Sequence, residues 1–253
     1  ADADMDQWCQ CDGCVAMDHA DPGIGVATRV LAFNNRVAAE VQKSHPGRLL
    51  TYYADYFQVN MTGPPVLGNG TVVLKAHPQV VPVIVNRFCY LHAIDDPDCP
   101  LNTNYRWRLR AWSQVAKRLM SYEYYTHLFD LPRTPTPQTW LIGGRIRHYK
   151  AMNFISYKVG ALNRWPDNEL ACYLAGRLAW DASQDDRALI EEFFRLYFQE
   201  AGNPMRAYYR RLNLVGRQTD SHGMFVAHAD WTPQVLADLQ AAIEVAQASA
   251  QQP

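Results

Sequence analysis

The chain has 253 residues, 48% of them hydrophobic and 19% charged, and its 24 Lys and Arg against 25 Asp and Glu leave a net charge of −1. That much apolar content supplies a real core and argues against disorder, and the balanced, scattered charge gives no footprint for nucleic acid or an anionic membrane surface. No apolar run is long enough for a transmembrane segment, and no basic stretch followed by an apolar one marks a signal peptide.

The chain opens on the acidic run ADADMDQ and passes into WCQCDGC, which places Cys9, Cys11 and Cys14 within six residues of loop. From Ile24 to Lys43 the apolar residues recur at helical spacing, and HPGR supplies the stop. RLLTYYADYF (48–57) and the nearly continuous β-branched VVPVIVNRF (80–88) read as buried strands. NTNYRWRLRAWSQVAKRL (102–119) puts Trp107, Leu109, Trp112, Val115, Ala116 and Leu119 on one helical face, with Asn102 or Asn104 as cap. LMSYEYYTHLF (119–129) is a third strand, TPQTWLIGGRIRHYKAM a helix, and NFISYKVGA (153–161) a fourth strand. Beyond residue 165 only helices follow, in PDNELACYLAGRLAWD, DDRALIEEFFRLYFQEAG, NPMRAYYRRLNLV and TPQVLADLQAAIEVAQASA, each opened by Asp, Asn, Thr or Pro.

Strands alternating with helices predict a parallel sheet, because parallel neighbours need a crossover that the helix provides. The expected fold class is α/β: the C-terminal half of a (β/α)8 barrel over residues 1–182, followed by an α-helical region over 183–253. Four βα units cannot close an eight-stranded barrel, so the other half is expected upstream, or the half-barrel stands open and pairs with something else. An export signal is expected upstream too, since residue 1 is not Met.

The motifs WCQCDGC after an acidic loop, FNNRVAAEV, YYADYFQVNMTGPP, RFCYLHAIDDPDCPLN, a Trp-containing helix leading to YEYY, and YLAGRLAWDASQDDRALIEEFFRLYF resemble a bacterial family catalogued as domain of unknown function 4838. The last of them is also similar, more distantly, to the helical segment after the barrel in α-glucuronidases and β-hexosaminidases. The resemblance implies a glycoside-hydrolase-like, carbohydrate-active barrel located in the periplasm, outside the cell or on its surface. It implies no particular catalytic pair.

Chemistry in such barrels sits where strands end and βα loops begin. Glycoside hydrolysis uses two carboxyl groups flanking the scissile bond and needs no cofactor. The candidates are Asp4 in the acidic loop, Glu123 at the end of the third strand and Asp55 at the end of the first. His92, Arg87, Tyr90, Tyr125, Asn153 and Tyr157 are placed to position a sugar. The bland readings stand beside these: Glu123 as a salt-bridged strand end, His92 as a satisfied loop histidine, and the tyrosines as ordinary strand packing. A non-catalytic carbohydrate-binding barrel, or a structural module of a cell-surface protein, is the competing class.

The pattern C-x-C-x-x-C offers three thiolates from one loop. A fourth ligand from Cys89, His92 or Cys99 would complete a tetrahedral structural zinc site. Disulfides from Cys11 or Cys14 to Cys89 or Cys99 are the alternative for an exported protein. Either chemistry makes the cysteines a brace for the acidic loop rather than a redox centre, since CDGC precedes no thioredoxin-like βαβ unit.

Overall fold

Pro82 lies inside the apolar run 80–85, where a residue without an N–H should break a ladder, yet β2 (Val80–Val85) is a buried inner strand. In the computed structural model, which describes residues 8–21, 24–55, 63–125, 138–160, 168–223 and 226–250, alternation along β2 resolves this. The Gln79 carbonyl accepts from Leu50 N on the side of β1 (Leu50–Asp55), and Asn86 N donates to the Tyr122 carbonyl on the side of β3 (Leu119–Tyr124). Counting in twos from Asn86, Pro82 faces β3, where the ladder begins only at Val83 opposite Met120. The missing donor therefore costs no ladder bond.

With β4 (Phe154–Gly160) these strands form one sheet in the order β1-β2-β3-β4. β1 pairs parallel with β2 from Leu50 opposite Val80, with a bulge between Tyr53 and Asp55, and β2 pairs parallel with β3. A single right-handed sense of crossover, repeated without reversal, gives an order that follows the sequence. All six side chains of β2 are buried, which is why its sequence reads as a continuous apolar run rather than an alternating one. β3 alternates instead, with Leu119, Ser121 and Glu123 fully buried and Met120 and Tyr122 partly covered.

The helices are α1 (Asp12–Val15), α2 (Ala27–Ser44), α3 (Pro100–Val115), α4 (Ile142–Ala151), α5 (Glu169–Trp180), α6 (Asp186–Phe193), α7 (Gly202–Gln218) and α8 (Pro233–Ser249). Four-residue α1 has no periodicity for a sequence reading to detect. Among the described residues, no helix is long and apolar enough to cross a membrane.

Two compact units make up the chain. The first (Ala1–Asn86, Asn104–Glu123, Tyr149–Lys158) holds α2 and most of the sheet. Its core includes Leu31 and Ala38 of α2, Leu109 and Trp112 of α3, and Ile84 and Leu119 of the strands. Each such large apolar side chain contributes roughly 1.5–3 kcal/mol by leaving water. The second unit (Arg87–Thr103, Tyr124–His148, Val159–Pro253) is mostly helical. Asp185 caps α6 by accepting from Arg187 N at 2.8 Å, and Thr232 caps α8 by accepting from Val235 N at 3.3 Å, with Pro233 in the first turn. α7 and α8 join through Leu212, Val215, Val235 and Leu239. Between α6 and α7 a π-helical turn over Phe194–Phe198 stacks Phe194 on Phe198, and Gln199 at φ 49° redirects the chain into α7.

Candidate functional site

At the C-terminal end of the sheet, Glu123 closes a buried polar network. Asn86, one residue past β2, donates Nδ2 to Glu123 Oε2 at 3.1 Å. The Tyr149 hydroxyl from α4 donates to Glu123 Oε1 and lies 2.9 Å from the Tyr105 hydroxyl of α3. Glu123, Asn86, Tyr105 and Tyr149 are all 2% exposed or less. Since burying an unpaired carboxyl is costly, these donors are what make the position tenable. Because Tyr105 and Tyr149 belong to helices, the Glu123 side chain points into the helical layer. The opposite face of the sheet carries Tyr53 and Tyr122, 5.9 Å apart, with Lys158 Nζ 4.6 Å from the centre of the Tyr122 ring and 2.6 Å from the Tyr53 hydroxyl.

Of the other residues singled out from sequence in the first unit, Asp55 ends β1 at its bulge, but its side chain lies outside the described residues, as does the whole of Asp4. Asn153 forms the left-handed turn before β4, at φ 62°, and its carbonyl accepts from Leu119 N. It is exposed and serves the backbone path. Tyr157 of β4 lies against Tyr149, ring centres 6.0 Å apart.

Arg87, Tyr90, His92 and Tyr125 belong to the second unit. Tyr90 is 1% exposed, its hydroxyl accepts from Tyr124 N at 3.1 Å, and the Arg145 guanidinium sits 5.0 Å from its ring centre. Arg87 lies 5.3 Å over Tyr124 and Tyr125 is fully buried. These side chains pack as cation–π and core contacts. Beside them is a cleft of about 300 Å³ that includes Asp95, Trp140, Arg145 and His148 in its lining. Its volume is at the lower end for small-ligand sites, and it joins Trp140, over whose ring the Arg217 guanidinium sits at 4.7 Å, to an exposed carboxylate and the buried Arg145. Sequence reading missed Asp95, Trp140 and His148. The nearest signal was the polar loop CYLHAIDDPDC, which gave no reason to prefer Asp95 over its neighbours.

Five of the six thiols fall into two groups, and all six cysteines are free. Cys9, Cys11 and Cys14 have their sulfurs within 4.8 Å of one another at the start of α1. Arg29 of α2 fixes this segment by donating to the Cys9 carbonyl at 2.7 Å, pairing with Asp18 at 2.7 Å and lying 5.7 Å over Trp8. The Cys14 backbone N–H, then the Cys9 thiol, hold the Cys11 thiol below its ordinary value, while the Cys11 thiol raises that of Cys14. In the second unit, Cys89 and Cys99 meet His92 and His222, again with all ligand atoms within 4.8 Å of one another. Burial, followed by the nearby Cys89, pushes the Cys99 thiol up. Each group could hold a metal ion. The sequence reading had drawn a fourth ligand for the first group from Cys89, His92 or Cys99, whereas those three gather around His222, more than a hundred residues downstream and without a spacing motif.

A parallel sheet wound in sequence order, interleaved and followed by helices, makes this an α/β protein with its polar residues collected at strand ends. A family model described as Domain of unknown function (DUF4838) matches residues 1–210, so the chain belongs to that family. No curated protein and no solved structure matches the chain.

Proposed function

We propose that the chain is the C-terminal half of a (β/α)8 barrel, reaching to about residue 182, from an exported bacterial protein that hydrolyses a glycan. The barrel is supported by the strand order: doubly wound sheets reverse direction at a switch point, and this one does not. The companion half then lies upstream. The observation that carries the glycan reading is the cleft lined by Trp140 and Asp95, an aromatic side chain beside an exposed carboxylate that can accept from sugar hydroxyls. Hydrolysis in this reading draws its carboxyl pair from Asp4, Asp55 and Glu123, and structural zinc is held among the cysteines.

The enclosure of Glu123 against α3 and α4 favours a second reading, a barrel that binds a glycan without cleaving it. Aryl glycosides offered to the full-length protein, with Glu123→Gln and Asp55→Asn alongside, separate the two. Turnover that falls in either folded variant supports hydrolysis. Binding of oligosaccharides without turnover supports the second reading, and neither binding nor turnover overturns both.

A further inference from the structure

We infer that Cys89, His92, Cys99 and His222 form a zinc site of the two-cysteine, two-histidine kind, complete in itself and separate in ligands from Cys9, Cys11 and Cys14. The inference is independent of whether the protein acts on a glycan. Zinc held tetrahedrally by sulfur at ~2.3 Å and nitrogen at ~2.0–2.1 Å requires sulfur-to-nitrogen edges of about 3.6 Å. Here Cys89 Sγ lies 3.4 Å from His92 Nδ1, and Cys99 Sγ lies 3.3 Å from His222 Nδ1. The two imidazole rings are 4.6 Å apart between centres, and all four ligand atoms fall within 4.8 Å of one another. The two sulfur-to-nitrogen edges thus lie within a few tenths of an ångström of the tetrahedral length, and the 4.8 Å bound on the rest keeps all four atoms around one ion position.

Contacts within the chain hold the segments that carry these ligands. Asn102, 1% exposed, donates its side-chain amide to the carbonyls of His92 and Ala93 at 3.2 and 2.9 Å, which fixes the loop that presents Cys89 and His92. Thr103 N donates to the Cys99 carbonyl at the start of α3. Tyr90 N donates to the Gly223 carbonyl at 2.7 Å, tying the segment after α7 to the loop after β2 next to both sets of ligands. Gly223 sits at φ +116°, a conformation that other residues strongly disfavour, and this turn follows His222 directly. Cys89 and Cys99 are fully buried and packed with Leu91, Leu101 and Val226, so an apolar wall backs the thiolates while His222 faces solvent. Four protein ligands leave no open position, which makes the ion structural rather than catalytic. On binding, Cys89 and Cys99 each lose one proton to solvent and both imidazoles bind neutral through Nδ1, so one zinc releases two protons.

The test measures metal content and cobalt spectra of the full chain carrying Cys9→Ser, Cys11→Ser and Cys14→Ser, which removes the other thiol group. One zinc per chain is expected, and cobalt in its place should give tetrahedral d–d bands with two-thiolate charge transfer. Adding His222→Ala should weaken zinc binding on the order of 100-fold or more. His222→Cys should keep the ion and raise the thiolate count in the cobalt spectrum, which decides the matter if the alanine variant does not fold. A chain without metal, a Cys89–Cys99 disulfide under native conditions, or zinc affinity indifferent to His222→Ala would overturn the inference.

Discussion

Replacing Tyr149 by Phe removes one hydroxyl from a fully enclosed polar network, and the cost can be worked from its geometry. The hydroxyl donates to Glu123 Oε1 and meets the Tyr105 hydroxyl at 2.9 Å, with every participant essentially without solvent contact. Losing a hydrogen bond to a carboxyl costs about 1.5–3 kcal/mol. At roughly 2–4 °C per kcal/mol for a chain of this size, the expected fall in Tm is about 3–12 °C. Thermal and urea unfolding followed by circular dichroism read it directly. A double-mutant cycle with Glu123→Gln isolates the pair, with coupling of about 0.5–3 kcal/mol expected. Coupling below about 0.3 kcal/mol would refute the claim that Tyr149 holds the Glu123 carboxyl.

Gly202→Ala should destabilise the joint between α6 and α7 by about 1–3 kcal/mol, since a Cβ there would stand 2.8 Å from the Phe194 carbonyl oxygen; unchanged urea unfolding would count against it. Arg29→Ala should cost about 2–3 kcal/mol, because it strips Asp18 and the Cys9 carbonyl of a donor at a site only partly open to water. Faster proteolysis between Trp8 and Asp18 is the local readout, and an unchanged cleavage pattern would contradict the anchoring role. Tyr209 is pushed well above the ordinary phenol range by burial and then by Glu169, whose carboxyl accepts its hydroxyl at 2.8 Å. The folded state keeps this proton more tightly than the unfolded one, so its contribution is complete below about pH 10 and is lost as pH rises beyond it. Tyr209→Phe should flatten that alkaline loss, and an identical alkaline slope in the variant would show that Tyr209 is not its source.

What the sequence disclosed follows from the range over which each signal acts. β2 was readable because six consecutive apolar, mostly β-branched residues have no other stable use, and α2 and α3 because their apolar spacing repeats over several turns. Two of the four C-terminal helices announced themselves through Asp185 and Thr232, whose caps act within three residues. Of the four proposed zinc ligands three were legible: Cys89, His92 and Cys99 lie within eleven residues, but His222 joins them only through the fold. The same holds for the cleft, which Asp95 reaches from a loop and Trp140 from a short 3-10 helix. Glu123 was visible as a strand-end carboxylate, but its orientation toward Tyr149 and Tyr105 depends on which face of β3 the helices cover, and YEYY places polar or aromatic residues on both faces.

The central claim, a glycan held against Trp140, is tested most directly by titrating neutral and acidic oligosaccharides into the full-length protein and its Trp140→Ala variant. The account predicts saturable binding of at least one class, weakened about 10-fold by loss of the indole, equivalent to about 1.4 kcal/mol of stacking, with zinc content unchanged. Absence of binding to every class, or binding that ignores the substitution, would contradict it.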